Sequence, residues 1–90
     1  MSLNQLRTEI DRLDHNLIKI LSKRKKVVSK ILKEKSGLRL PVKDKVREKK
    51  MFEQRKKWSK EDGVDAKFIE RLFQVIIKQS VKEQKEVKEK

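Results

Sequence analysis

The sequence has no cysteine and no tyrosine, one histidine, one proline and two glycines. Without cysteine, disulfides and thiolate metal sites are excluded, while the redox compartment is left open. His15 has no Cys or His partner for a metal ion, and the chain contains no Ser-His-Asp constellation, glycine-rich phosphate loop or zinc-ligand spacing. The sequence therefore argues against covalent catalysis and metal-dependent hydrolysis, and leaves reactions that need only binding and electrostatics.

Long apolar runs are missing as well. No apolar stretch approaches the roughly 20 residues of a membrane span. The first residues lack the basic region and the apolar run of a signal peptide. We therefore expect a soluble cytoplasmic protein with no membrane partner.

Charge is what the chain has in excess. It carries 27 Lys and Arg against 14 Asp and Glu, a net charge of +13, and 46% of its residues are charged. Three interpretations stay open: a nucleic-acid or anionic-membrane partner, a field that attracts a small anionic substrate, or a solvated lysine-rich surface of a heat-adapted protein. The charge alone does not decide the function.

The apolar residues recur in steps of three and four, which is typical of helices. Gly37 with Pro41 and Gly63 are the two places that interrupt the pattern. The sequence thus predicts one all-α domain over 1–90, with helices at about 3–35, 44–62 and 65–86 and a charged, fraying end. Asp44 and Asp65 are the expected N-caps of the second and third helices.

The first predicted helix is too long for a compact domain of this size. About 33 residues span about 50 Å, whereas a compact 90-residue domain has a diameter of roughly 30 Å. The apolar stripe continues along the whole helix, and soluble monomers rarely expose so large an apolar surface. We therefore expect a two-fold homodimer of intertwined helices.

Seven polar residues stand where the pattern favours apolar ones or cluster at a helix start. They are Arg24 and Lys35 on the first helix, Asp44, Arg47 and Glu48 on the second, and Ser80 and Gln84 on the third. Each has a simpler explanation: an arginine can extend its charged end to water, and an aspartate can merely cap a helix. Together they suit a small polar anion inside a helical bundle better than a polymer.

In the order and spacing of these residues the chain resembles the all-helical chorismate mutases. The similarity covers residues 6 to 84, and its segments are Leu6-Arg7, Ile10-Asp11, Leu13-Asp14, Arg24, Lys35, Leu40-Pro41-Val42-Lys43-Asp44, Arg47-Glu48, Phe68-Ile69, Leu72-Phe73, Ile76-Ile77 and Ser80-Val81-Lys82-Glu83-Gln84. The resemblance implies one long helix followed by two shorter ones, and rearrangement of chorismate to prephenate without a cofactor. It implies chorismate as the small-molecule partner.

The resemblance also implies roles for four long side chains. Arg7 and Arg24 match the arginines that hold the two carboxylates of the substrate. Lys35 and Gln84 match the pair that donates hydrogen bonds to the ether oxygen. Because Arg7 and Lys35 lie about 42 Å apart along one helix, they cannot serve one site of one chain. In the family, the arginine at the Arg7 position reaches into the site of the partner protomer.

The remaining candidates cluster around the substrate ring in the same resemblance. Glu48 matches the acceptor for the ring hydroxyl, with Asp44 and Arg47 beside it. Ser80 matches a hydroxyl group near the ring carboxylate. No metal ligand is implied.

Other functions stay open at this stage. Related helical proteins eliminate pyruvate from isochorismate with similar cations, although the Asp44, Arg47 and Glu48 cluster favours the mutase. A basic helical dimer that binds nucleic acid is supported only by the charge, since no recognition motif is present. The resemblance also allows docking on, or fusion to, another enzyme of aromatic amino-acid synthesis.

Overall fold

The computed structural model describes residues 1–38, 40 and 44–89, with side chains up to residue 86. This part of the chain contains three helices and no strand: α1 (Leu3–Gly37), α2 (Lys45–Glu61) and α3 (Ala66–Glu89). The predicted all-α class is therefore confirmed. The expected break at Pro41, and the adjoining Val42 and Lys43, fall outside the described residues, as does Lys90.

Side chains that accept hydrogen bonds define where the helices begin. Ser2 Oγ accepts from the Gln5 backbone N–H at 3.1 Å, and Gln5 Oε1 accepts from the Ser2 N–H at 2.7 Å, which completes a capping box. Asp44 Oδ1 accepts from the Arg47 N–H at 2.9 Å, and Asp65 Oδ1 from the Lys67 N–H at 3.0 Å. Both aspartates predicted as caps thus bind the first turns of their helices.

The turn between α2 and α3 depends on one glycine. Gly63 adopts φ +68°, a left-handed conformation that costs glycine little and other residues much more. The turn closes through hydrogen bonds from the Gly63 N–H to the Lys60 carbonyl at 3.3 Å and from the Val64 N–H to the Ser59 carbonyl at 2.9 Å. This reversal lays α3 antiparallel to α2.

A single copy of the chain has almost no core. The radius of gyration is 16.4 Å and the longest dimension 54 Å, against about 12 Å expected for the radius of a compact 90-residue domain. Among the described residues, Leu32 is the one buried hydrophobic side chain and Ser59 the one buried polar side chain. α3 packs against both α2 and α1, and this contact surface is where the partly buried side chains gather.

The N-terminal half of α1 is uncovered. All residues from 1 to 23 are exposed. The apolar residues that form what we call the N-terminal stripe are 45–62% exposed; they are Leu3, Leu6, Ile10, Leu13, Leu17 and Ile20. The single chain therefore presents a continuous apolar surface to water. Separately, no helix in the described part is long and apolar enough to cross a membrane.

Candidate active site

A hydrogen bond between α1 and α3 joins two of the predicted site residues. Arg24 Nη1 donates to Ser80 Oγ at 2.7 Å, across 56 residues of sequence. The Ser80 hydroxyl in turn donates to the Ile76 carbonyl at 3.0 Å, which fixes its orientation. Both side chains are half-buried. The Arg24 guanidinium is thereby held at the groove between the two helices.

A second polar contact lies on α2. Arg55 Nη1 donates to Glu48 Oε2 at 3.3 Å. The Arg55 guanidinium also lies over the ring of Phe73 on α3, 4.6 Å from the ring centroid. Glu48 and Arg55 are seven residues apart, so they lie on nearly the same face of the helix.

Electrostatics connects these two contacts. The pKa of Arg24 is lowered from its ordinary value, first by burial and then by the positive charge of Arg55, while Glu48 opposes the shift. Arg24 remains a cation at neutral pH, because an arginine does not lose its proton there. Arg24, Arg55 and Glu48 therefore act on one another as one charged cluster.

The other predicted residues lie on the three helices or at their ends and differ in burial. Lys35 is half-buried in the last turn of α1, and Gln84 is half-buried on α3, one turn beyond Ser80. Asp44 and Arg47 are exposed at the start of α2, where Asp44 caps the helix through the Arg47 N–H.

Arg7 is not brought to the other candidates. It is exposed in the second turn of α1, about 42 Å along the helix from Lys35. The helix is continuous between the two residues. A single chain therefore assembles its candidate site without Arg7.

Two of the recesses that adjoin the charged cluster lie where helices meet. One of about 500 Å³ lies between α1 and α3 and includes Leu21, Arg24, Ile76 and Ser80. The other, of about 330 Å³, lies between α2 and α3, with an apolar wall and with two members of the charged cluster in its lining; its residues include Glu48, Phe52, Arg55, Ile69, Phe73 and Ile77. No group of three or more His, Cys, Asp or Glu residues in the described part could hold a metal ion.

Arg55 was missed as a site residue from the sequence. In the sequence, the second helix carries an apolar stripe that includes Val46 and Trp58 and has Arg55 among its positions, but Val46 is 82% and Trp58 47% exposed. The covered face of α2 instead carries Glu48, Met51, Arg55 and Ser59. A cation within that stripe was the available signal, the same one that identified Arg24 on α1.

Comparison with known proteins identifies the family. Residues 6–85 match the family described as chorismate mutase type II. The chain belongs to this family. The resemblance inferred from the sequence is thereby confirmed, and the residues matched include all eight candidates from Arg7 to Gln84.

Relatives of this chorismate mutase family member differ in length. The chain is 29% identical over 84 residues to a chorismate mutase of Methanocaldococcus jannaschii, covering 93% of this chain and 85% of the relative. It is 38% identical over 85 residues to a bifunctional chorismate mutase/prephenate dehydratase of Buchnera aphidicola, covering 94% of this chain and 22% of the relative. The Escherichia coli protein of the same name is 37% identical over 76 residues, covering 84% and 20%. The chain thus spans about a fifth of the length of these bifunctional relatives.

Proposed function

We propose that the protein is a chorismate mutase, which rearranges chorismate to prephenate without a cofactor. One observation carries the proposal beyond family membership. In a chain that is mostly exposed, five of the eight candidate residues are half-buried, whereas Arg7, Asp44 and Arg47 are exposed; the five are Arg24, Lys35, Glu48, Ser80 and Gln84. Half-burial of charged groups is costly unless they bind an anion or one another.

The reaction needs geometry and electrostatics, and no protein nucleophile. In a pericyclic shift, the carbon–oxygen bond of the ether breaks while a carbon–carbon bond forms at the other end of the same molecule. The protein has to select the compact diaxial conformer and hold its two ends together, which is catalysis by proximity. Arg24 is suited to one substrate carboxylate, because its guanidinium is held by Ser80. Ser80 would lie near the ring carboxylate.

Negative charge that builds on the ether oxygen is the second requirement. We propose Lys35 as the cationic donor to that oxygen and Gln84 as the neutral donor, since preorganised donors stabilise developing charge most in a site shielded from water. Lys35 follows Arg24 by eleven residues on α1, a separation of about 16 Å on nearly the same face. Glu48 would accept a hydrogen bond from the ring hydroxyl, with Asp44 and Arg47 beside it.

We further propose that the active form is a homodimer. The N-terminal stripe is exposed along about half of α1, and a second copy is the cover that the chain itself supplies. In such a dimer the Arg7 side chain of one protomer would reach the site of its partner. Each two-fold dimer would then contain two equivalent sites.

Mixing two inactive variants tests this shared site. We expect Arg7→Ala and Lys35→Ala proteins, unfolded and refolded together, to regain about a quarter of the unmutated activity. Half of the dimers formed at random are mixed, and each mixed dimer has one site with both residues intact. The measurement is prephenate formation per protomer after refolding.

The matched control mixes Arg24→Ala with Lys35→Ala. Both residues would serve the site of the same protomer, so a mixed dimer contains no intact site and no activity should return. Equal recovery in the two mixtures would contradict the contribution of Arg7 from the partner. A protein that is monomeric at assay concentration would contradict the dimer itself.

Gln84 leads to a prediction about pH. Because a glutamine side chain does not titrate, we expect kcat at pH 7.5 to be no lower than at pH 5. In Gln84→Glu, the donor is available only while the new carboxyl group is protonated, so kcat should fall as the pH rises above about 4 to 5. A profile of kcat against pH for both proteins provides the test, and an unmutated enzyme that is active only in acid would contradict this role of Gln84.

The activity itself is tested with purified protein and chorismate, by following substrate loss and identifying the product. Prephenate is the expected product. Elimination of pyruvate from isochorismate, with no reaction of chorismate, would favour the alternative of an isochorismate-cleaving enzyme. Nucleic-acid binding that persists at physiological salt would favour the alternative of a nucleic-acid-binding dimer, because purely electrostatic binding weakens steeply with salt.

The relatives also bear on partners. Several are named bifunctional chorismate mutase/prephenate dehydratase. We propose that prephenate formed here passes to an enzyme that consumes it, joined to this chain or docked on it. The cytoplasmic location expected from the sequence stays a prediction.

A further inference from the structure

The Glu48 carboxylate is held by a side chain that lies deeper in the structure than the carboxylate itself. The side chain of Arg55 is 12% exposed and that of Glu48 is 43% exposed. The bond uses Glu48 Oε2, and no other side chain in the described part of the chain donates to this carboxylate. Among the described residues, Oε1 is thus left to accept a hydrogen bond from a bound ligand.

Arg55 also contacts α3. Its guanidinium lies 4.6 Å from the centroid of the Phe73 ring, a geometry in which a cation is attracted to the face of the ring. A planar guanidinium can stack on a ring and bind a carboxylate together, which an ammonium group does poorly. The position of the Glu48 carboxylate on α2 is therefore set by a contact with α3.

This arrangement belongs to the same cluster as the candidate substrate anchor. Arg55 and Glu48 both contribute to the electrostatic environment of Arg24, with opposite signs. Arg24 in turn binds Ser80. A substitution of Arg55 would therefore change the electrostatic environment of Arg24 as well as the packing of α2 on α3.

We propose that Arg55 is a positioning residue of the active site: it holds Glu48 through Oε2 and directs Oε1 toward the ring hydroxyl of chorismate. The proposal rests on the proposed mutase function. Arg55 does not touch the substrate in this arrangement. It acts through Glu48, with Phe73 as its support.

A double-mutant cycle tests whether Arg55 acts through Glu48. We expect Arg55→Met to lower kcat/KM roughly 10- to 100-fold, as for loss of a hydrogen bond to a charged group. In a Glu48→Gln background, the same substitution should cost less than about twofold. The same fold loss in both backgrounds would overturn the proposal, because Arg55 would then act independently of Glu48.

The separate kinetic constants distinguish positioning from mere support of the fold. A hydrogen bond to the ring hydroxyl exists in the bound substrate and in the transition state, so its loss should raise KM and change kcat little. A misfolded fraction would instead lower kcat at constant KM, and that result would overturn the proposal. Arg55→Lys, which keeps the charge without the planar fork, should recover part of the lost affinity.

Lys57→Met is the matched control, because Lys57 is an exposed cation on the same helix. It should leave both constants unchanged, and far-ultraviolet circular dichroism should be equal for all variants. An unmutated protein that binds chorismate but forms no prephenate would overturn the proposed function alone, and the cycle would then be measured on the Kd for chorismate. A protein that neither binds nor converts chorismate would overturn both proposals.

Discussion

Replacing Lys35 with alanine is expected to lower kcat for prephenate formation at least about a hundredfold, because loss of one preorganised donor to a developing oxyanion typically costs about 2.7–4 kcal/mol. Lys35 is half-buried in the last turn of α1, where water can replace its ammonium group only partly. KM should change much less than kcat, since the interaction strengthens mainly as the ether bond stretches.

Lys33→Ala provides the control for this experiment. Lys33 is exposed two residues before Lys35 on α1, so the variant removes the same net charge from the same end of the helix. Its kcat should equal that of the unmutated protein. Near-normal turnover of Lys35→Ala would exclude Lys35 as the donor to the ether oxygen, whatever the control shows.

Arg24→Ala is expected to lower kcat/KM at least about a hundredfold, because the proposed charge-assisted contact to a substrate carboxylate would be lost. The substitution also removes the hydrogen bond to Ser80 Oγ at 2.7 Å, which leaves that hydroxyl without its donor from α1. Steady-state kinetics with chorismate measures the loss. The overall helix content should be retained, since Arg24 is only half-buried.

Two further variants make the Arg24 experiment specific. Arg24→Lys keeps the charge but not the two-pronged geometry, so its activity should lie between those of the alanine variant and the unmutated protein. Lys23→Ala removes an exposed neighbouring charge and should have no effect. A large loss in Lys23→Ala would attribute the effect to the general positive field, and would contradict a specific role for Arg24.

The local sequence was sufficient to predict the helices. The apolar period of three to four, the capping residues Asp44 and Asp65, and the turn at Gly63 involve interactions within a few residues of one another. The helices accordingly lie close to the predicted ranges, although α1 runs to Gly37 and α3 to Glu89. A lone glycine at a helix end stops the helix only weakly, and a run of Lys and Glu continues one readily.

The order of the polar residues along the chain was sufficient to recognise the family. Arg24, Lys35 and Glu48 stand at spacings that the residues alone made recognisable, and the match over residues 6–85 rests on the same sequence. Their individual roles stay predictions, because a residue type at a given position names a chemical group without giving its distance to any substrate.

Only the tertiary structure decided which face of α2 is covered, and with it the pairing of Arg55 with Glu48 over Phe73. A weakly amphipathic, highly charged helix has no distinct apolar face, so its sequence does not predict which face is buried. The packing of α2 against α3 determines that face. The same applies to α1: its sequence determined a long apolar stripe, but the fold of one chain leaves the N-terminal half exposed. Periodicity determines which residues share a face, whereas contacts between distant segments determine what that face meets.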